Sequence, residues 1–101
     1  MPITIASGQT SPGSTNWQPY NGTSGIYVDV NTTGAGFTQT PVYVTSIGGN
    51  SSQWSTTGAD AVYQESATGF RVYVRFANGT AITPQQANGW QWHINWIGIQ
   101  Q

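Results

Sequence analysis

The side chains of this chain that could carry charge or move a proton are few: Asp29, Asp60, Glu65, His93, Arg71 and Arg75, beside tyrosine phenols and many Ser and Thr hydroxyls. A glycosidase built on paired carboxylates needs two acids facing one cleft, one of them with a raised pKa. Asp60 and Glu65 lie on or beside one short strand, and their odd separation sends them to opposite faces. His93 could serve a Ser-His-Asp triad, but no nucleophile-elbow pattern is present and every Ser or Thr is one of many interchangeable candidates. Three copies of His93 around a threefold axis would suit zinc or nickel, while a single histidine is more simply a hydrogen-bonded interface residue. Asp29 or Asp60 with loop carbonyls could take calcium, without any EF-hand loop to support it. Gly34-Ala35-Gly36 lacks the strand, spacing and basic residue of a phosphate loop and reads as a turn. The inventory predicts no catalytic residue, no metal site and no cofactor.

Recognition of a neutral, hydroxyl-rich ligand fits the residues better. Sugars present apolar C–H faces rimmed by hydroxyls, so a shallow site needs an exposed aromatic ring beside amide and hydroxyl groups. Trp54 sits among Gln53, Ser55, Thr56 and Thr57 with no apolar neighbour, and Tyr20-Asn21 and Asn78 occupy similarly polar loops. Trp90, at the start of the last apolar segment, is the fifth candidate for a carbohydrate site formed by Tyr20, Asn21, Trp54, Asn78 and Trp90. The competing assignment has Trp54 and Tyr20 capping the ends of the fold or packing on a neighbouring subunit, because large aromatics are usually mostly buried.

The elements that must position these residues are strands. Leucine, lysine and cysteine are absent, while Val, Ile, Thr and aromatic residues supply pleated sheet and 13 glycines supply turns. Six candidates emerge: Ile3 to Ser7, Gly25 to Val30, Pro41 to Ile47, Ala61 to Ser66, Gly69 to Phe76, and Trp90 to Ile99. Ile26, Val28 and Val30 form one inward row, and Phe70, Val72, Val74 and Phe76 another. Their reverse faces carry Tyr27 and Asp29, and Arg71, Tyr73 and Arg75, a set too aromatic and charged for a merely solvated surface. In the last segment Trp90, Trp92, Ile94 and Trp96 share one side, and Gln91, His93, Asn95, Ile97 and Ile99 the other. Trp92 and Trp96 belong to the core, and the opposite face is placed near a threefold axis. No segment carries a convincing helical stripe. Four sequons, at Asn21, Asn31, Asn50 and Asn78, are read as loop markers.

The chain of 101 residues is expected to form a single all-β domain, an antiparallel β-sandwich of six strands. Only 5% of residues are charged and the net charge is −1, which argues against nucleic-acid binding and leaves little repulsion between copies. Neither a signal peptide nor a membrane-spanning run is visible, so the chain is expected to be soluble, without membrane insertion, and to act extracellularly or at a surface.

The order Ala6-Ser7-Gly8, Trp17, Phe37, Thr40-Pro41-Val42-Tyr43-Val44-Thr45-Ser46-Ile47, Thr68-Gly69-Phe70 and Ile94-Asn95-Trp96-Ile97-Gly98-Ile99 resembles the H-type lectin domain. That family is the one of the snail agglutinins that bind N-acetylgalactosamine. The resemblance spans nearly the whole chain and implies a six-stranded antiparallel sandwich that assembles as a trimer, sometimes paired into a hexamer, with sugar sites between subunits. The family holds its sugar with an acid before the second strand, an arginine before the fourth and aromatic or histidine residues before the last. Here the first loop carries Tyr20, Asn21 and Thr23 without an acid, and the second carries Trp54 and Thr57 without an arginine. Only Trp90 falls where the family places an aromatic. The expectation is an oligomeric glycan-binding protein without catalysis, of Gal/GalNAc type by resemblance; the alternative is a structural trimerisation or fibre-tip domain with no sugar ligand.

Overall fold

Alternation at period two organises most of the backbone. Ile26, Val28 and Val30 are buried while Asp29 and Asn31 face water, and Phe70, Val72 and Val74 repeat the pattern on the strand that pairs with them. A computed structural model, which describes residues 2–101, shows eight strands: β1 (Thr4–Gln9), β2 (Gln18–Pro19), β3 (Ile26–Asn31), β4 (Val42–Gly48), β5 (Thr56–Thr57), β6 (Val62–Ser66), β7 (Gly69–Phe76) and β8 (His93–Gln100). The six longer strands correspond to the six expected from sequence. β2 and β5 are additional two-residue pairings, too short to leave a periodic signal.

The strands form two antiparallel sheets. The first has the order β1-β8-β4, and Ile5, Ile99 and Val42 lie side by side across it. In the second, β2 pairs with β3 and β3 with β7, whose other edge is taken in turn by β6 and β5. Trp92 and Ile94 from the β8 end of the first sheet pack with Ile26, Val28, Val72 and Val74 of the second in one apolar core. Tyr43 on β4 bridges the layers, its ring 4.5 Å from that of Phe70. Its buried hydroxyl donates to Ser66 O at 2.8 Å and pairs with Thr32 Oγ1 at 2.7 Å, so the polar tip keeps its hydrogen bonds inside the core.

Two features depart from the sequence reading. A one-and-a-half-turn helix, α1 (Pro84–Gly89), occupies part of the stretch expected to be loop. Thr83 caps it: its Oγ1 accepts from Gln86 N at 3.1 Å while Gln86 Oε1 accepts from Thr83 N at 2.9 Å, and Pro84 fills the first position. Only Ala87 of the helix is buried, so no apolar stripe announces it. The second departure follows from the first. Trp90 N and Trp92 N still donate to Gln86 O and Ala87 O, and Gln91 has a φ of 61°, so the chain is turning here and β8 begins at His93 rather than Trp90.

Trp17, in the first long connection, is a core residue whose indole donates to Trp92 O at 3.2 Å. Gly98 is where β8 passes beneath Phe37; a Cβ there would lie 2.7 Å from the Phe37 ring. Among the described residues, no helix is long and apolar enough to cross a membrane.

Candidate functional site

Where β7 ends and β3 begins, three connections meet. Ile82 N donates to Ser24 O at 3.0 Å and Ala77 N to Ser55 O at 2.9 Å, tying the stretch after β7 to the loops before β3 and β5. The Tyr20 turn is held by Tyr20 N donating to Gly25 O at 3.0 Å and by the Thr23 hydroxyl donating to Tyr20 O at 2.7 Å. Gly22 supplies the positive φ, 84°, that the turn requires.

The outer face of the second sheet is paved with tyrosines. Register places Tyr27 opposite Tyr73, and their ring centroids are 5.8 Å apart. Tyr20 leans onto Tyr73 at 4.8 Å from the side of β3, and Tyr63 meets Tyr73 edge-on at 5.0 Å from β6. Tilted and edge-on contacts at such distances are the favoured geometries of aromatic pairs. Tyr20 and Tyr63 remain 44% and 49% exposed, so the cluster presents ring surface to water.

Beside it opens a groove of about 630 Å³ whose walls include Tyr20, Tyr63, Tyr73, Thr23, Thr57 and Arg75. That volume lies in the range of about 300–1,000 Å³ typical of small-molecule sites. Gly58 lets the wall approach: its φ is 103°, and a Cβ there would come within 2.5 Å of Tyr73 O. A hollow of about 310 Å³ between Trp96, Ser7, Asn31 and Ala35 is smaller and offers one ring.

The two arginines of β7 have different surroundings. Arg71 is opposite Asp29, and its Nε and Nη2 donate to the two carboxylate oxygens at 2.6 and 2.9 Å. Its guanidinium also lies 4.2 Å from the Tyr27 ring centre, and Nη1 donates a long bond of 3.4 Å to the Tyr73 hydroxyl. The Arg71 hydrogen bonds, with its positive charge, hold the Asp29 carboxyl below its ordinary value against a smaller upward push from desolvation. The same pairing raises Arg71 further above its already high value. Arg75 is exposed and forms neither an ion pair nor a side-chain hydrogen bond among the described residues.

The five residues expected to bind sugar are distributed around this region rather than gathered in one hollow. Tyr20 walls the groove, and Asn21 follows it as an exposed turn residue. Trp54 is 90% exposed on a 3-10 turn, Gln53–Ser55, in the connection that supplies Thr57 and Gly58 to the groove, but it is not itself a wall. Asn78 Oδ1 accepts from Thr80 N at 3.0 Å, and its amide N–H groups donate to no other group among the described residues. Trp90 is half-buried, stacked at 5.1 Å on Trp92 and at 6.0 Å from Phe76, and is a packing residue rather than an open ring. The sequence marks Tyr73, with Arg71 and Arg75, as part of a face too aromatic and charged to be merely solvated, without assigning it to a site, and it gives no such signal for Tyr63. His93 Nδ1 is 2.9 Å from Gln91 O, and among the described residues no group of three His, Asp or Glu could hold a metal ion.

Comparison of the chain with family models, with curated proteins and with solved structures finds no match.

Proposed function

We propose that this chain is an oligomeric carbohydrate-binding module, built on the H-type lectin plan and without catalysis, whose ligand sits in the tyrosine-walled groove. The observation that carries this reading is the pair of half-open rings, Tyr20 and Tyr63, bordering a groove that also presents the Thr23 and Thr57 side chains. Rings of this kind cover the C–H face of a pyranose, while the phenol and Thr57 hydroxyls exchange hydrogen bonds with its hydroxyls and the Thr23 hydroxyl, which already donates to Tyr20 O, can only accept. Trp54, projecting from the adjoining turn, and the Asn78 amide extend the contact beyond the groove, and Asn21 follows Tyr20 in the same exposed turn. Trp90 packs with Phe76 and Trp92 and is not a wall of the groove. No activated nucleophile or paired acid is needed for such binding.

Assembly as a trimer, or a hexamer made from two trimers, would use the outer face of the first sheet. Ile5, Ile99 and Val42 form one row across β1, β8 and β4, and Ile97 and Val44 lie side by side in the next. Ile3, Ile5, Val42 and Val44 are all more than half exposed in the single chain, an apolar patch of the kind that marks an interface. A neighbouring copy is its proposed cover. The same patch favours a second reading, a structural trimerisation or fibre-tip domain with no sugar ligand.

The two readings separate on a glycan array probed with Tyr20→Ala and Tyr63→Ala beside the unaltered chain. The lectin reading expects binding to a subset of glycans, weakened about tenfold or more by either substitution, since each removes stacking area. An array with no bound glycan, from a chain that still assembles, would leave the structural reading standing.

A further inference from the structure

We infer that the groove is selective for an anionic sugar, one bearing a carboxylate or a sulfate, and that Arg75 is the residue that selects it. This rests on the carbohydrate-binding reading above. Charge is nearly excluded from the chain: lysine is absent and the two arginines are its only basic side chains apart from His93. Their places on β7 give them opposite fates. Arg71 meets Asp29 across the strand pair and is locked in a bidentate ion pair. Further along β7, on the same face, Arg75 meets Thr57 on one side, and on the other the backbone of Gly25, where an added Cβ would lie 3.5 Å from Arg75 Cβ. No acid stands across from it on either neighbouring strand, and among the described residues no ion pair forms elsewhere to take its place.

Arg75 therefore brings an uncompensated guanidinium to the wall of a groove otherwise lined by rings, hydroxyls and backbone. A guanidinium presents parallel N–H donors that match a carboxylate or sulfate bidentately, whereas neutral hydroxyls use only part of that capacity. Tyr20 and Tyr73 place ring surface beside the same cation, so the pyranose face and its acidic substituent can be met together. The guanidinium is exposed, so the preference is electrostatic in part and weakens as salt rises.

The test is calorimetric or array titration of the full chain with three probes sharing one oligosaccharide core: the neutral parent, its uronic-acid form and its sulfated form. The expected result is affinity about tenfold higher for at least one anionic form than for the parent, reduced by added salt, with the two arms distinguishing carboxylate from sulfate. Arg75→Gln should lower the anionic affinity about tenfold and abolish the preference, while Arg75→Lys, keeping a point charge, should retain part of it. Circular dichroism of each variant confirms that it is folded before its affinity is read. Equal affinity for neutral and anionic forms overturns the inference and leaves the lectin reading intact. Binding of glycans outside this core with no anionic preference does the same, and binding of no glycan at all defeats both.

Discussion

At the outer face of β7 the residue across the strand decides what an arginine can do. Opposite Arg71 stands Asp29, and the pair closes on itself; beside Arg75 stands Gly25, and that cation stays open. The closed pair makes stability depend on pH in a defined direction. Asp29 titrates lower in the folded chain than the value of about 3.9 it has when unfolded, so its contribution is complete above that value and is lost as pH falls through the lower, folded one. Urea midpoints of the unaltered chain and of Asp29→Asn should therefore differ at neutral pH and converge as acid is added below about pH 4. The gap is small and shrinks in salt, because the Asp29 side chain is 61% exposed. A constant gap down to low pH would mean that the amide is penalised at this position for some reason other than the lost ion pair. The tyrosines around this pair were only half legible. Tyr20 stands in a polar loop and declares itself, whereas Tyr63 and Tyr73 become neighbours through the pairing of β6 with β7, and contacts across strands are not written in local spacing.

The elements divide by how much apolar surface each one buries. β3 and β7 alternate buried and open residues throughout their middle, so period two identifies both the strands and their inward faces. The helix α1 buries Ala87 alone and is held by its caps, so its signal is the chemistry of Thr83, Pro84 and Gln86 rather than any stripe. Without the helix the start of β8 is read at Trp90 instead of His93, and Trp90 looks like an open strand end, when it is the helix cap packed on Trp92. Thr83→Ala tests whether the N-terminal cap matters. Loss of the bond from Gln86 N to the Thr83 hydroxyl, with the backbone N–H at position 83 still able to donate to Gln86 Oε1, should destabilise the chain by about 1 kcal/mol, read from urea unfolding, and Thr83→Ser should recover most of it. Amide exchange at Trp90 and Trp92, whose N–H groups close the helix end, should speed up in Thr83→Ala while that at Val28 and Val72 follows only the global loss. Unchanged exchange at Trp90 and Trp92 would show that the burial of Ala87 and the two hydrogen bonds between the Asn88 side chain and the Thr15 backbone hold the helix without its cap.

For the molecule as a whole, the two sheets have outer faces of opposite character. One carries the tyrosines, Arg71, Asp29 and Arg75; the other carries Ile5, Val42, Val44, Ile97 and Ile99. A chain with half-open tyrosine rings on one side and aliphatic rows on the other can associate through the second without covering the first. Under the proposed function, association would change how the first side works, because several weak sites held together would act on one glycan-bearing surface, with avidity about 10²-fold or more above a single site. Val42→Lys combined with Val44→Lys separates the two properties. Both side chains already face solvent, so the fold should tolerate the change, while paired copies would have to bury like charges. Sedimentation should fall from three or six times the 10.8 kDa chain mass to that mass alone. Binding to a dense glycan surface should drop about 10²-fold, with the affinity for one soluble sugar essentially unchanged. If the double variant sediments as the unaltered chain does, the aliphatic rows are not the interface. If it becomes monomeric and loses affinity for soluble sugar too, the site is shared between copies, and the groove of a single chain is only part of it.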